Sequence, residues 1–233
     1  MFNLLHACYQ FRVDGAVVTD DPAGAAERRR SAEQAFKREW LVESARAVFA
    51  REGIARSSMR EIAKNAGYTV GVLYNYFRSK EELYAEVLRG SLATVADRIA
   101  TATDGAPDGQ RAAAGLRAMY GFYRERPGDF DLSFYLFQGA RPVGLDAELD
   151  ARLNALVERV MDELAAGLEA DRLAVPGTAR SHAVRASSAV FGVILMAHTG
   201  RLGSLGEEPD TVLDAMVDDL LGPRAGGDEE TAR

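Results

Sequence analysis

Between Ser58 and Leu83 the chain reads SMREIAKNAGYTVGVLYNYFRSKEEL. This run suits recognition rather than bond-making. It reads as two short helices around a glycine turn, then a Tyr/Phe-rich element and a new helix start, which is how a helix-turn-helix is built for the DNA major groove. The spacings that carry covalent chemistry do not occur: there is no Gly-rich phosphate loop, HExxH, GxSxG or CxxC. His182 and His198 stand too far apart along one helix to form a two-ligand metal motif, and His6 lies near the N-terminus. The sequence therefore predicts neither an enzyme nor a resident metal or cofactor.

Two crossing helices need a small residue on the first, a residue that tolerates positive φ in the turn, and apolar residues around them. Ala63, Gly67 and the set Ile62, Ala66 and Leu73 meet those needs. A three-helix bundle could use isolated tyrosines for packing and capping. Tyr74-x-Tyr76-Phe77-x-x-Lys80, placed directly after a glycine-turn helix, points instead to DNA. Leu73, Phe77 and Trp40 read as core.

The net charge of −7 over 233 residues hides an asymmetry. Glu27 to Gly90 holds 13 Lys/Arg against 9 Asp/Glu, whereas 91–233 holds 14 against 23. A modestly basic module thus precedes an acidic body, and phosphate binding needs only a local positive face. The longest apolar run, Ala189 to Ala197, falls short of the ~18–20 residues that span a bilayer. The N-terminal MFNLLHACYQF has no basic n-region or cleavage site, and the single Cys8 cannot form an internal disulfide. These features predict a cytoplasmic protein with no membrane partner.

The elements that must hold this run are helical throughout. Residues 1–33 read as a flexible tail, in which Arg28-Arg29-Arg30 is either a solvated helix start or an arm toward DNA backbone. Leu41, Ala45, Val48 and Phe49 mark a helix from Phe36 closed by Gly53. Ser58 with Glu61 forms a capping box, Thr69 caps a third helix through Phe77, and Ser79 starts a fourth that runs past residue 100. Helices over Leu116–Tyr123, Phe130–Gln138, Leu149–Leu168, His182–Leu202 and Val212–Leu221 follow, and the polar tail 223–233 reads as disordered. With no alternating strand pattern, the prediction is an all-α fold of about nine helices: a helix-turn-helix domain at 34–80, then a helical effector-binding and dimerisation domain at 81–222.

The runs WLVESARAVFAREG, SSMREIA and AGYTVGVLYNYFRSKEEL resemble the TetR family of one-component transcriptional regulators, specifically over about residues 36–90. The resemblance implies that Tyr74, Tyr76, Lys80 and Ser58 contact DNA phosphates. It also implies that Arg60, Thr69, Val70, Gly71 and Val72 face base edges. Arg60 can bridge guanine O6 and N7, and Val70 and Val72 can touch thymine methyls. Val70 stands where many members carry a polar residue, so base reading falls to few hydrogen bonds, with DNA shape contributing more.

The resemblance implies that the last two helices pair with their symmetry mates, giving a homodimer on a palindromic double-stranded operator. The expectation is a ligand-responsive repressor, in which a small-molecule effector bound in the body moves the fourth helix and so changes the spacing of the two recognition helices. Tyr120, Tyr123, Phe134 and Phe137 read either as core or as the wall of an apolar effector pocket, with Gln138, Arg141, His182 and His198 as candidate polar anchors. An effector-independent architectural DNA-binding protein is the alternative; it predicts many genomic sites and no fillable cavity.

Overall fold

A computed structural model describes residues 22–134, 147–175 and 177–222. Those residues hold ten helices and no strand. The chain divides into two compact units, residues 1–39 and 40–233. The first helix, α1 (Pro22–Glu52), begins inside the segment read as a tail. Pro22 stands in its first turn, where a missing N–H costs nothing, and the Ala, Glu, Arg and Gln that follow are strong helix formers. Their side chains are mostly exposed, Arg28 to Arg30 among them, so no apolar stripe announced this part of the helix.

In the unit 40–233, α1 is followed by α2 (Met59–Ala66), α3 (Val70–Tyr74) and α4 (Lys80–Gly105). The third helix ends before Phe77, because its last turn tightens: the N–H groups of Tyr76 and Phe77 both donate to Leu73 O at 3.0 Å. Then come α5 (Arg111–Glu125), α6 (Pro127–Phe134) and α7 (Ala147–Ala170). The segment Arg126-Pro127-Gly128 breaks α5 as expected, yet Pro127 immediately starts α6. The apolar run His182–Leu202 divides at Thr199-Gly200 into α8 (Ala179–His198) and α9 (Arg201–Ser204), which accounts for ten helices rather than nine. The last is α10 (Pro209–Leu221).

Two buried clusters stabilise this unit. One gathers Leu41, Val48, Ile62, Leu73, Phe77 and Leu83 with α4 as far as Leu92, and it also takes in Leu132 of α6 and Leu153 of α7. The other starts at Val95 on the same α4 and runs through α5, α7, α8 and α10. The two clusters meet within α4, between Leu92 and Val95. A single helix belongs to both cores.

Candidate nucleic-acid interface and apolar cavity

The turn between α2 and α3 is built by local chemistry. Ser58 caps α2: its hydroxyl accepts from Glu61 N–H at 3.3 Å and donates to Glu61 Oε2 at 2.8 Å. At the other end Gly67 adopts φ 77°, ψ 21°, and the Tyr68 N–H returns to Ala63 O at 2.9 Å. This left-handed closure favours glycine and satisfies the last carbonyls of α2. Ile62, Ala63, Ala66, Leu73 and Phe77 are buried behind it. Ser79 caps α4 in turn, accepting from Glu82 N–H at 3.1 Å.

All nine residues expected to touch DNA lie on this assembly, and none is buried. Ser58, Arg60, Thr69, Gly71 and Tyr74 are exposed, Tyr74 at 53% of its surface. Val70, Val72, Tyr76 and Lys80 are half-buried, and Val70 and Tyr76 pack on the adjoining core. The exposed face of α3 is therefore poor in polar side chains. Lys80 is already engaged: its Nζ donates to Ile54 O at 2.7 Å and Ser57 O at 3.0 Å. An ammonium has three donors, so these two bonds leave one uncommitted. Trp40, expected in the core, is instead 49% exposed, with its Nε1 donating to Ala66 O at 3.0 Å. An indole N–H needs an acceptor, and the end of α2 supplies one at the edge of the core. Sequence reasoning passed over Arg56, Lys64 and Arg78, exposed cations of the same assembly whose local charge was the available signal.

The residues read as an effector pocket separate. A cavity of about 470 Å³ lies among α4, α5, α7 and α8, with Ser133 of α6 on its wall. Tyr123 lines it with Leu88, Leu92, Met119, Val157 and Phe191, while Asn154, Asp150 and Ser188 supply polar groups. Burial pushes the Tyr123 hydroxyl up to about 12, against a weaker opposing effect of the neighbouring Ser133, so it stays neutral. The aliphatic lining and Asn154 were missed because four helices contribute them, none with a local pattern distinct from core.

Tyr120 lies elsewhere. Its hydroxyl donates to Asp210 Oδ1 at 3.0 Å in an open cleft beside Arg124. Burial, then the bond to Asp210, raises its pKa, and the Arg124 guanidinium holds Asp210 below the ordinary carboxylate range. His182 lines a small separate cleft with Arg185 and Leu220. His198 sits at the exposed end of α8, its Nε2 3.0 Å from Asp131 Oδ1. The side chain of Phe134, and Phe137, Gln138 and Arg141 altogether, lie outside the described residues, as do His6, Cys8 and the tail 223–233. Among the described residues no cluster of three His, Cys, Asp or Glu could hold a metal, and no helix is long and apolar enough to cross a membrane.

Comparison with known proteins places this geometry. Residues 41–87 match the family profile described as bacterial regulatory proteins, tetR family. Residues 112–220 match the one described as tetracyclin repressor-like, C-terminal domain. The HTH-type transcriptional repressor KstR2 of Mycobacterium tuberculosis is 48% identical over 52 residues, which is 22% of this chain but only 26% of that protein. The HTH-type transcriptional activator FasR of Mycolicibacterium smegmatis is 31% identical over 157 residues, 65% of this chain and 70% of that protein. Among solved structures, FadR of Bacillus subtilis in complex with stearoyl-CoA superposes with TM-score 0.63 at 14% identity, covering 79% of this chain and 97% of that one. At such identity the likeness speaks for the fold alone. The two profiles, together with a relative aligned over most of its length, establish that this chain belongs to the TetR family of bacterial transcriptional regulators.

Proposed function

We propose that the chain is an effector-responsive repressor that binds a palindromic operator as a homodimer. The observation that carries this reading is the course of α4. It starts at Lys80, on the DNA-facing assembly, and carries Leu88 and Leu92 into the cavity wall. A ligand that displaces this wall displaces the base of the helix-turn-helix. A coupling of ~1–3 kcal/mol would change operator affinity about 5- to 150-fold. Functionally, residues 34–80 serve DNA binding, and 81–222 serve effector binding and dimerisation.

The cavity lining favours a largely apolar effector. The stearoyl-CoA complex of the structurally similar FadR is in keeping with that chemistry. Repression is preferred because the KstR2 relatives are named repressors, while FasR, an activator, marks the other sign. Dimerisation is supported by α8 and α10, which leave Val184, Leu195 and Leu220 nearly half exposed. Apolar side chains so placed on the last long helices suit a second copy. A role on DNA supports a cytoplasmic protein.

Selection of bound fragments from random duplexes tests the proposal. A palindrome protected by two copies is expected. Many unrelated sites, bound by one copy each with no response to cavity filling, would replace this reading with the architectural one.

A further inference from the structure

α6 is eight residues long and is held at both ends. Toward its C-terminus Ser133 lines the cavity beside Tyr123 and donates to Asp129 O at 2.9 Å. Toward its N-terminus it lies against α1, for a Cβ on Gly128 would stand 3.0 Å from Ala50 Cβ. Between the two is Asp129, only 3% exposed, with one carboxylate oxygen on Arg46 Nη1 and the other 3.2 Å from Arg126 Nε. Arg46 is 15% exposed and lies across α4: its Nη2 donates to Val87 O at 3.3 Å and would meet a Cβ on Gly90 at 3.4 Å. A third tie joins the Tyr84 hydroxyl of α4 to Leu132 O of α6 at 2.7 Å.

These contacts make a continuous route from the cavity wall to the first helix of the DNA-binding assembly. Within it, charged partners shielded from water attract each other strongly and move together rather than part. The route differs from the direct push on Leu88 and Leu92, because it reaches α1 as well as α4. We propose that the Asp129–Arg46 pair is the joint through which filling of the cavity resets the DNA-binding helices. The proposal rests on the effector reading above. Arg46 and Asp129 act as positioning residues, and neither lines the cavity.

The test needs no natural effector. In a Cys8→Ser, Val157→Cys protein the new thiol lies on the cavity wall at a residue 44% exposed, within reach of reagent. Hexyl methanethiosulfonate then installs a hexyl chain. The thiolate attacks the reagent's divalent sulfur, a new S–S bond forms and methanesulfinate leaves, with mass spectrometry confirming the adduct. Operator affinity is measured labelled and unlabelled, with the native pair, with Asp129→Asn and with Arg46→Lys. Lysine keeps the charge but lacks the rigid planar fork that places Nη1 on Asp129 and Nη2 on Val87 O.

The expected ratio of labelled to unlabelled Kd is on the order of 5- to 150-fold with the native pair, and less than about twofold in either variant. A purely structural role would alter both affinities and leave their ratio unchanged. Arg46→Lys decides the matter if Asp129→Asn fails to fold. An equal ratio in all three proteins overturns the joint and leaves the effector reading intact. A ratio near unity with the native pair overturns both.

Discussion

Trp40 Nε1 donates to the carbonyl of Ala66, 26 residues further on, and so ties α1 to the last turn of α2 at the edge of the glycine turn. The indole is half in water, so its value lies in the hydrogen bond and the brace more than in burial. Trp40→Phe should cost about 0.5–1.5 kcal/mol. Urea unfolding followed by circular dichroism measures it, and hydrogen exchange should quicken at the end of α2 first.

The Gly67 turn should be less forgiving. Nothing lies within 4 Å of where a Cβ would stand, so Gly67→Ala meets no clash. The penalty is the left-handed backbone at φ 77° alone, about 1–2 kcal/mol for an L-residue. Operator affinity should fall further than stability does, because the crossing of α2 and α3 sets the reading geometry. Equal affinity for operator in the alanine variant would contradict that role of the turn.

Why some of this was legible in the sequence and some was not follows from the range of the interactions. Ser58 with Glu61, Ser79 with Glu82, and Gly67 act within three or four residues, so their caps could be read directly. The start of α1 escaped because an exposed polar helix has no apolar period, only favourable propensities. Trp40 follows the phase of Leu41 closely enough to look buried; its acceptor is supplied by another helix. Tyr120 and Tyr123 share one face of α5, yet the cavity touches only Tyr123 while Tyr120 turns to Asp210. Asp129 sat in an apparent helix stop, and its partner Arg46 is 83 residues away. No local pattern could announce that pair.

Tyr76 and Lys80 should be separable as phosphate ligands. Tyr76→Phe keeps the ring that packs on the core and removes only the hydroxyl. Stability should hold while operator binding weakens for all sequences, and the salt slope should stay nearly constant because the hydroxyl carries no charge. Lys80→Ala removes a cation, so its salt slope should fall by about 0.9, the value for one phosphate no longer neutralised. It should also cost stability, on the order of 1.5–3 kcal/mol, because Ile54 O and Ser57 O are left without their charged donor. A Lys80→Ala protein of unchanged stability would mean that those two bonds do not form in solution.

Tyr123 gives the cavity a pH signature. Its hydroxyl is pushed up from 10.0 to about 12, chiefly by burial, so the folded chain holds this proton after the unfolded chain has released it. The stability linked to it is fully present below pH 10 and is lost as pH rises toward about 12. A shift of that size corresponds to roughly 2–3 kcal/mol. Tyr123→Phe has no proton to lose and should flatten this part of the curve, although removing a hydroxyl from the cavity wall sets a different starting stability at neutral pH. Urea midpoints at intervals from pH 9 upward measure both effects. Parallel curves for the two proteins would show that water reaches the Tyr123 hydroxyl, and the cavity wall would then be wet where an apolar effector needs it dry.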